Sequence, residues 1–184
     1  MAHAQPDPVA RPFGAGVAVL AREVTIALSI ALAFAAAARI VFPLGFTPVP
    51  VTAQTFVVLL VGTLVGARRA GGGALTYLVL GVAGLPWFAA GGATLGYLVG
   101  FVVAAHVVGR AADAGRLATR RSALTVMAGA HALIYVLGAG WLAVFLGVGP
   151  VTALTLGVVP FLAGDVLKVA AAAAIAPALI RLRG

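Results

Sequence analysis

The chain contains no cysteine, which excludes disulfide bonds and cysteine-based metal or nucleophile sites. Charge is also scarce, because charged residues make up 9% of the sequence and only 4 residues are Asp or Glu. A soluble domain typically carries about 25% charged residues. The sequence has no G-x-x-x-x-G-K-[ST] motif, so it lacks the loop with which P-loop ATPases hold nucleotide phosphates. These absences argue against a soluble domain and against ATP hydrolysis by this chain.

Apolar and small residues dominate instead, with 63% hydrophobic residues and 24 glycines. Small residues allow helices to pack closely in a bilayer, and each spanning helix needs roughly 20 residues. The composition therefore predicts an all-α integral membrane protein with six transmembrane helices in one domain, residues 17–184, after a flexible tail, residues 1–16. That tail lacks the apolar core of a cleavable signal peptide. The predicted spans are 17–42, 53–66, 74–85, 94–108, 123–146 and 161–182.

The net charge of +8 is spread over short connections and chain ends rather than along a basic stripe with interleaved aromatics. Nucleic-acid binding is therefore not expected. All arginines except Arg39 fall on the side of the predicted bundle that carries both termini. Because short cytoplasmic loops are enriched in Lys and Arg, we expect both termini to be cytoplasmic.

Three Gly/Pro-rich segments are predicted on the opposite, outer side: 43–52, 86–93 and 147–160, the last with room for a short helix. Irregular backbone near a membrane must be covered by protein or line a cavity. These segments therefore predict a pocket that opens outward.

Lys168 is the only lysine, and it follows Asp165 by three residues in the first turns of the last predicted span. Residues at this spacing share a helix face, and ionisable groups in a span indicate a functional site. A helix N-terminus also favours an anion. The pair predicts a site for a small carboxylate-bearing molecule whose N–H groups bond Asp165. The alternative is a structural ion pair in which Lys168 extends to the membrane interface.

Four segments carry a resemblance to a known family: FTPVPVTAQTF (46–56), YLVLGVAGLPWFA (77–89), GYLVGF (96–101) and PFLAGDVLK (160–168). In this order they resemble the BioY biotin transporters, the substrate-capture subunits (S components) of energy-coupling factor transporters. The resemblance implies an S-component-like bundle in the bacterial inner membrane that binds biotin from outside and is not an enzyme. It also implies that Asp165 and Lys168 contact biotin. The connection between Phe88 and Tyr97 is shorter than the family usually has.

The same resemblance implies two kinds of protein partner, a transmembrane coupling subunit and two ATP-hydrolysing subunits. In such families small residues on the first span contact the coupling subunit. Ala27, Ala31 and Ala35 recur every four residues here, as in a closely packed helix face. We predict that they contact the partner, with packing inside the chain as the alternative.

Four further residues are candidates for biotin contact. Gln54 could bond the ureido group or, with Thr52, cap its own helix. Trp87, Phe88 and Tyr97 could stack on the fused rings, although aromatics at this depth also anchor proteins at the membrane interface.

Three other functions remain as alternatives. The chain could be an S component for another small vitamin, a helical membrane scaffold without a ligand, or an intramembrane enzyme with Asp165 as general base. The enzyme lacks a second catalytic carboxylate or a paired histidine. Because His106 and His131 are isolated in apolar spans, no metal site is expected, and no cofactor is implied.

Overall fold

The computed structural model describes residues 13–88 and 91–183 as a bundle of α-helices. In this part of the chain, four helical stretches are long and apolar enough to cross a membrane: Gly16–Arg39, Gly92–Asp113, Arg120–Leu146 and Pro150–Arg183. Gln54–Val65 is a shorter apolar helix. The structure thus has the helical, membrane-type architecture that the composition predicts.

The elements follow one another in the order α1, β1, β2, α2, α3, α4, α5, α6 and α7. The helices are α1 (Phe13–Arg39), α2 (Gln54–Val65), α3 (Ala67–Val82), α4 (Leu95–Asp113), α5 (Arg120–Leu146), α6 (Pro150–Gly157) and α7 (Leu162–Arg183). The strands β1 (Val41–Phe42) and β2 (Val51–Thr52) pair antiparallel, with Val41 opposite Thr52. Short 3₁₀ turns at Gly92–Thr94 and Val159–Phe161 precede α4 and α7.

Two boundaries differ from those predicted. α1 begins at Phe13, inside the predicted tail, whose residues 1–12 lie outside the described residues. Residues 67–73, predicted as a connection, form the first two turns of α3. The break before α3 is confined to Gly66, which has a φ of 80° that favours glycine. Runs of Ala, Gly and Arg therefore continue the helix where low hydropathy indicated a loop. The short helix that segment 147–160 could accommodate is present as α6.

Glycines let α4 pack closely against three of its neighbours. A methyl group added at Gly100 would meet Ile134 of α5, and one added at Gly109 would meet the backbone of Ala67 in α3. At Gly62 of α2 an added methyl would meet Val108 of α4. α1 packs on α3, and α7 packs on α2 and α5. This close approach is typical of helices that associate in a bilayer through small residues.

The connections collect at two ends of the bundle. At one end, Asp113 accepts hydrogen bonds from the Ala67 backbone N–H at 3.0 Å and from Arg183, joining α3, α4 and α7. Arg69 of α3 pairs there with Glu23 of α1 at 2.6 Å. We call this the arginine-rich end. The strand pair, the turn before α4 and the segment around α6 lie at the other end, where α7 begins.

Candidate functional site

Lys168 lies in the second turn of α7 and directs its ammonium group back into the protein. Nζ donates hydrogen bonds to the Thr52 carbonyl at 2.7 Å, to Thr55 Oγ1 at 3.1 Å and to Asp165 Oδ1 at 2.8 Å. An ammonium has three N–H donors, and all three have an acceptor here. The alternative in which Lys168 extends to the membrane interface required the side chain to point outward, and it does not. It joins α7 to the strand β2 and to the start of α2.

Asp165 is 5% exposed, and both of its oxygens are engaged. Oδ1 accepts from Thr55 Oγ1 at 3.0 Å as well as from Lys168, and Oδ2 accepts from the Tyr135 hydroxyl at 2.7 Å. A buried carboxylate is expensive unless it is paired and fully hydrogen-bonded. These donors from α2, α5 and α7 meet that requirement, so the carboxylate is held in one orientation.

His131 is a further polar neighbour of Asp165. Its Nε2 lies 3.0 Å from Oδ2, but the approach is not aligned as a hydrogen bond, and Nδ1 has no hydrogen-bond partner in the part of the chain that the structure describes. The imidazole is 3% exposed and packs edge-on against the Tyr135 ring, with centroids 4.9 Å apart. His131 and Tyr135 are one turn apart on α5 and approach the carboxylate together.

A cavity of about 160 Å³ lies above this network at the end of the bundle that carries the strand pair. Its polar side is formed by Thr52, Gln54, Thr55, Tyr135, Asp165 and Lys168. Its apolar side is formed by Ala38, Val41, Val49, Pro50, Val51, Leu98, Phe101, Ile134 and Phe161, with Thr94 and Tyr97 beside them. An apolar cavity with a few convergent polar groups is the usual form of a small-molecule site.

Gln54 lines the cavity, but its amide is committed to the protein. Nε2 donates to the Tyr77 hydroxyl at 2.9 Å and lies 3.4 Å from the Phe34 carbonyl, and Oε1 accepts from Thr52 at 3.2 Å. Gln54 is 5% exposed, and its backbone N–H donates a hydrogen bond to Thr52 Oγ1 at 3.3 Å. The Thr52 hydroxyl thus bonds the first turn of α2, whereas the Gln54 side chain does not cap its helix. The remaining lone pair of Gln54 Oε1 is what this residue can offer a ligand.

Tyr97 lines the cavity with its ring and is held rigidly. Its hydroxyl donates to the Gly157 carbonyl at 2.7 Å. A methyl group added at Gly138 would overlap the ring, and one added at Gly157 would overlap the hydroxyl. The absence of side chains at these two glycines makes room for the tyrosine, which forms a fixed wall.

Trp87 and Phe88 do not line this cavity. Trp87 is 69% exposed at a φ of 85°, and the Arg39 guanidinium lies 4.5 Å from the centre of its ring. Phe88 packs on Tyr77 with ring centroids 5.6 Å apart. They adjoin residues 89–90, which lie outside the described residues. Their contact with a ligand stays a prediction.

The alanine stripe of α1 faces the protein interior over most of its length. Ala31 is fully buried and Ala35 is 5% exposed, both in the core beside Phe34, whereas Ala27 is partly exposed. Packing inside the chain, the alternative considered for this stripe, therefore describes Ala31 and Ala35. Contact with a partner stays a prediction and falls most naturally on Ala27.

Sequence reasoning missed Thr55, His131 and Tyr135 as members of the site. The signal was present for the last two, because a His and a Tyr four residues apart share one face of an otherwise apolar helix. This spacing does not by itself indicate a site, since nothing in the sequence shows that α5 packs against α7. Among the described residues, no group of three or more His, Asp or Glu side chains could hold a metal ion.

Comparisons with known proteins show the family and the fold of this chain. The BioY family matches residues 8–184. A biotin transporter BioY of Rhizobium etli is 34% identical, with 74% of this chain and 81% of the relative covered. A probable biotin transporter BioY of Pyrococcus horikoshii is 36% identical, with 86% and 96% covered.

A solved structure has the same fold. It is the S-component for biotin from an ECF-type ABC transporter, and it matches with a TM-score of 0.75 over 95% of each chain. Sequence identity over this match is 21%, so the match is evidence for the fold of the bundle alone.

Proposed function

This chain belongs to the BioY family, and from that premise we propose that it captures biotin as the S component of an energy-coupling factor transporter. It is a membrane transport protein and not an enzyme. The observation that carries the proposal is the Asp165–Lys168 pair at the base of the cavity. A vitamin that combines an apolar ring system with a ureido group and a carboxylate suits a cavity with one apolar and one polar side.

We propose that the polar contacts run through the groups that both line the cavity and belong to the network. Lys168, at the start of α7, holds one polar end of the ligand, where the helix N-terminus also favours an anion. Asp165 accepts N–H bonds from the ureido ring, and the Tyr135 hydroxyl then leaves Oδ2 and donates to the ligand instead. Thr55 then keeps the carboxylate oriented through Oδ1.

The apolar part of biotin rests against the opposite side. Tyr97 and Phe101 supply aromatic surface, with Ile134 and Phe161 beside them. Burying apolar area contributes roughly 25 cal/mol per Å², whereas the polar groups supply orientation. Gln54 contributes through Oε1, and Trp87 and Phe88 cover the entrance from the segment before α4.

For the membrane arrangement we propose six spans, formed by α1, α2, α3, α4, α5 and α7, with α6 resting on the outer face. Both termini are then cytoplasmic, because the arginine-rich end carries nearly all of the basic residues and the cavity end carries few. The protein is multi-pass in the bacterial cell membrane, and biotin enters from the outer face.

For energy coupling we propose a transmembrane coupling subunit and two ATP-hydrolysing subunits as partners. Ala27 is the member of the α1 stripe that is still accessible to the coupling subunit, while Ala31 and Ala35 hold α1 against the bundle. The sequence has no P-loop motif, which supports the proposal that ATP is hydrolysed by the other subunits.

The test is to identify the ligand that the purified protein retains. Protein extracted in mild detergent is washed and denatured, and the released small molecules are identified by mass spectrometry. The proposal expects biotin. A panel of other water-soluble vitamins, added before denaturation, should fail to displace it. Retention of a different vitamin, or displacement of biotin by one, would contradict the assignment.

A further inference from the structure

A second concave site lies at the arginine-rich end, on the outside of the bundle between α4 and α5. It encloses about 540 Å³ and shares no lining residue with the biotin cavity. We call it the α4–α5 groove. Its lining residues are His106, Val107, Arg110, Ala111, Ala114, Arg116, Thr125, Val126, Gly129 and Ala130. Nothing in the proposed capture of biotin uses this site.

Arg110 and Arg116 stand at the mouth of the groove with their guanidinium groups uncommitted. Both residues are exposed, and in the described part of the chain neither side chain donates a hydrogen bond. Other arginines at the same end are used differently, since Arg69 pairs with Glu23 and Arg183 pairs with Asp113. Asp113 is already bonded by Arg183 and the Ala67 N–H. Asp113 also lies close enough to interact electrostatically with Arg110, but because it is already bonded, the carboxylates of the described residues do not fully offset the positive charge at the groove.

Apart from the two arginines, the groove is lined mainly by valine, alanine and glycine, with His106 and Thr125 as its other polar residues. It continues between the helices along Val107 and Ala111 of α4 and Val126 and Ala130 of α5. Gly129 leaves open space, because a methyl group added there would meet nothing within 4 Å. The lining residues run from Thr125 to Ala130 on α5 and from His106 to Ala111 on α4, so the groove follows each helix for roughly 7–8 Å at 1.5 Å per residue. This length and this chemistry suit the headgroup-proximal part of a hydrocarbon chain that lies parallel to the helices.

We propose that the α4–α5 groove binds one anionic phospholipid, whose phosphate lies between Arg110 and Arg116 and one of whose acyl chains fills the apolar part. Basic pockets between helices on the cytoplasmic side are the sites at which anionic headgroups bind membrane proteins, and arginine is well suited to phosphate. An anionic lipid is the occupant we infer, because its phosphate complements the charge of the two arginines and its acyl chain matches the apolar residues that line the rest of the groove. A lipid bound there contacts both helices and stabilises the packing of α4 against α5 at the end opposite the biotin cavity.

The experiment is native mass spectrometry of delipidated protein to which dioleoyl phosphatidylglycerol or dioleoyl phosphatidylcholine is added. Unaltered protein should carry one phosphatidylglycerol in preference to phosphatidylcholine. The double variant Arg110→Gln/Arg116→Gln should bind phosphatidylglycerol roughly tenfold less, since each basic residue contributes to anionic-lipid binding. Arg120→Gln/Arg121→Gln, the matched control with the same charge change beside the groove, should bind like the unaltered protein.

A steric variant tests the acyl chain separately. Gly129→Leu fills the groove without touching the arginines, and it should also lower phosphatidylglycerol binding. Titration with biotin, which uses the other end of the bundle, reports that each variant is folded.

Three results would overturn the proposal. They are equal binding of the two lipids, equal losses in the two arginine pairs, and retained phosphatidylglycerol binding in Gly129→Leu. If lipid binding is unselective but Arg110→Gln/Arg116→Gln no longer assembles with the ATP-hydrolysing subunits, the groove is a protein contact instead.

Discussion

The Tyr135 hydroxyl and the Asp165 carboxylate, on α5 and α7, are joined by a 2.7 Å hydrogen bond on the oxygen opposite Lys168. Both side chains line the cavity. A charged group and a neutral donor thus meet on the surface that a ligand would contact. The neutral donor can leave without exposing an unpaired charge, because Lys168 stays on the other oxygen. This relationship makes Tyr135 the adaptable member of the network.

Tyr135→Phe should weaken biotin binding while leaving the fold intact. The hydroxyl that leaves Oδ2 donates to biotin in this account, and a neutral hydrogen bond contributes about 0.5–1.5 kcal/mol, so its loss should raise Kd roughly threefold to tenfold. Calorimetric titration of biotin in detergent measures it. Thr125→Val, on the same helix, removes a hydroxyl that bonds only the Arg121 carbonyl and should leave Kd unchanged. An unaltered Kd in Tyr135→Phe would show that the hydroxyl has no part in binding.

His131→Leu should have a smaller effect on binding than Tyr135→Phe. The imidazole lies close to Asp165 but is not aligned as a hydrogen bond, and its Nδ1 is buried without a partner among the described residues. A buried polar group without a hydrogen bond carries an uncompensated desolvation cost, and an apolar side chain of similar size removes that cost. Thermal unfolding should therefore occur at the same temperature or higher. A marked loss of stability, or a larger loss of affinity than in Tyr135→Phe, would mean that His131 holds Asp165 directly.

Gly138→Ala should destabilise the protein, because the added methyl group overlaps the Tyr97 ring. Overpacking of this kind costs about 1–3 kcal/mol. Gly140→Ala is the matched control two residues along α5, where an added methyl group meets nothing within 4 Å. The control should be neutral or slightly stabilising, since alanine has the higher helix propensity. Thermal unfolding in detergent compares the two, and equal midpoints would show that Tyr97 is free to move.

The sequence predicts the helices well where apolar runs are long, as in α4, α5 and α7, and poorly where small or charged residues begin a helix. The start of α3 illustrates this, because Arg68, Arg69 and the following glycines resemble a connection but continue the helix. The two-residue strands β1 and β2 were not predicted, because the three prolines of segment 43–52 indicate an irregular loop and two residues are too few to show an alternating pattern. Such an element is defined by its partner rather than by its own periodicity.

The site was only half predictable for a similar reason. Asp165 and Lys168 could be found because charges are rare in an apolar chain. Thr55 and Tyr135 are ordinary residues whose role depends on which helices touch. The contact between α2, α5 and α7 arises only when the bundle packs, and no local pattern in the sequence predicts it.

The central claim is that Lys168 and its partner Asp165 anchor biotin, and calorimetric titration of Lys168→Met tests it most directly. Val166→Met is the matched control, since Val166 lies on the same helix, is 64% exposed and does not line the cavity. Removing one member of a buried ion pair lowers the free energy of unfolding by about 3–5 kcal/mol, because the other charge is left unpaired. The double variant Asp165→Asn/Lys168→Met leaves no unpaired charge and therefore separates loss of binding from misfolding. The account predicts that biotin binding is lost in both Lys168 variants and kept in Val166→Met. Unchanged biotin affinity in either Lys168 variant would contradict it.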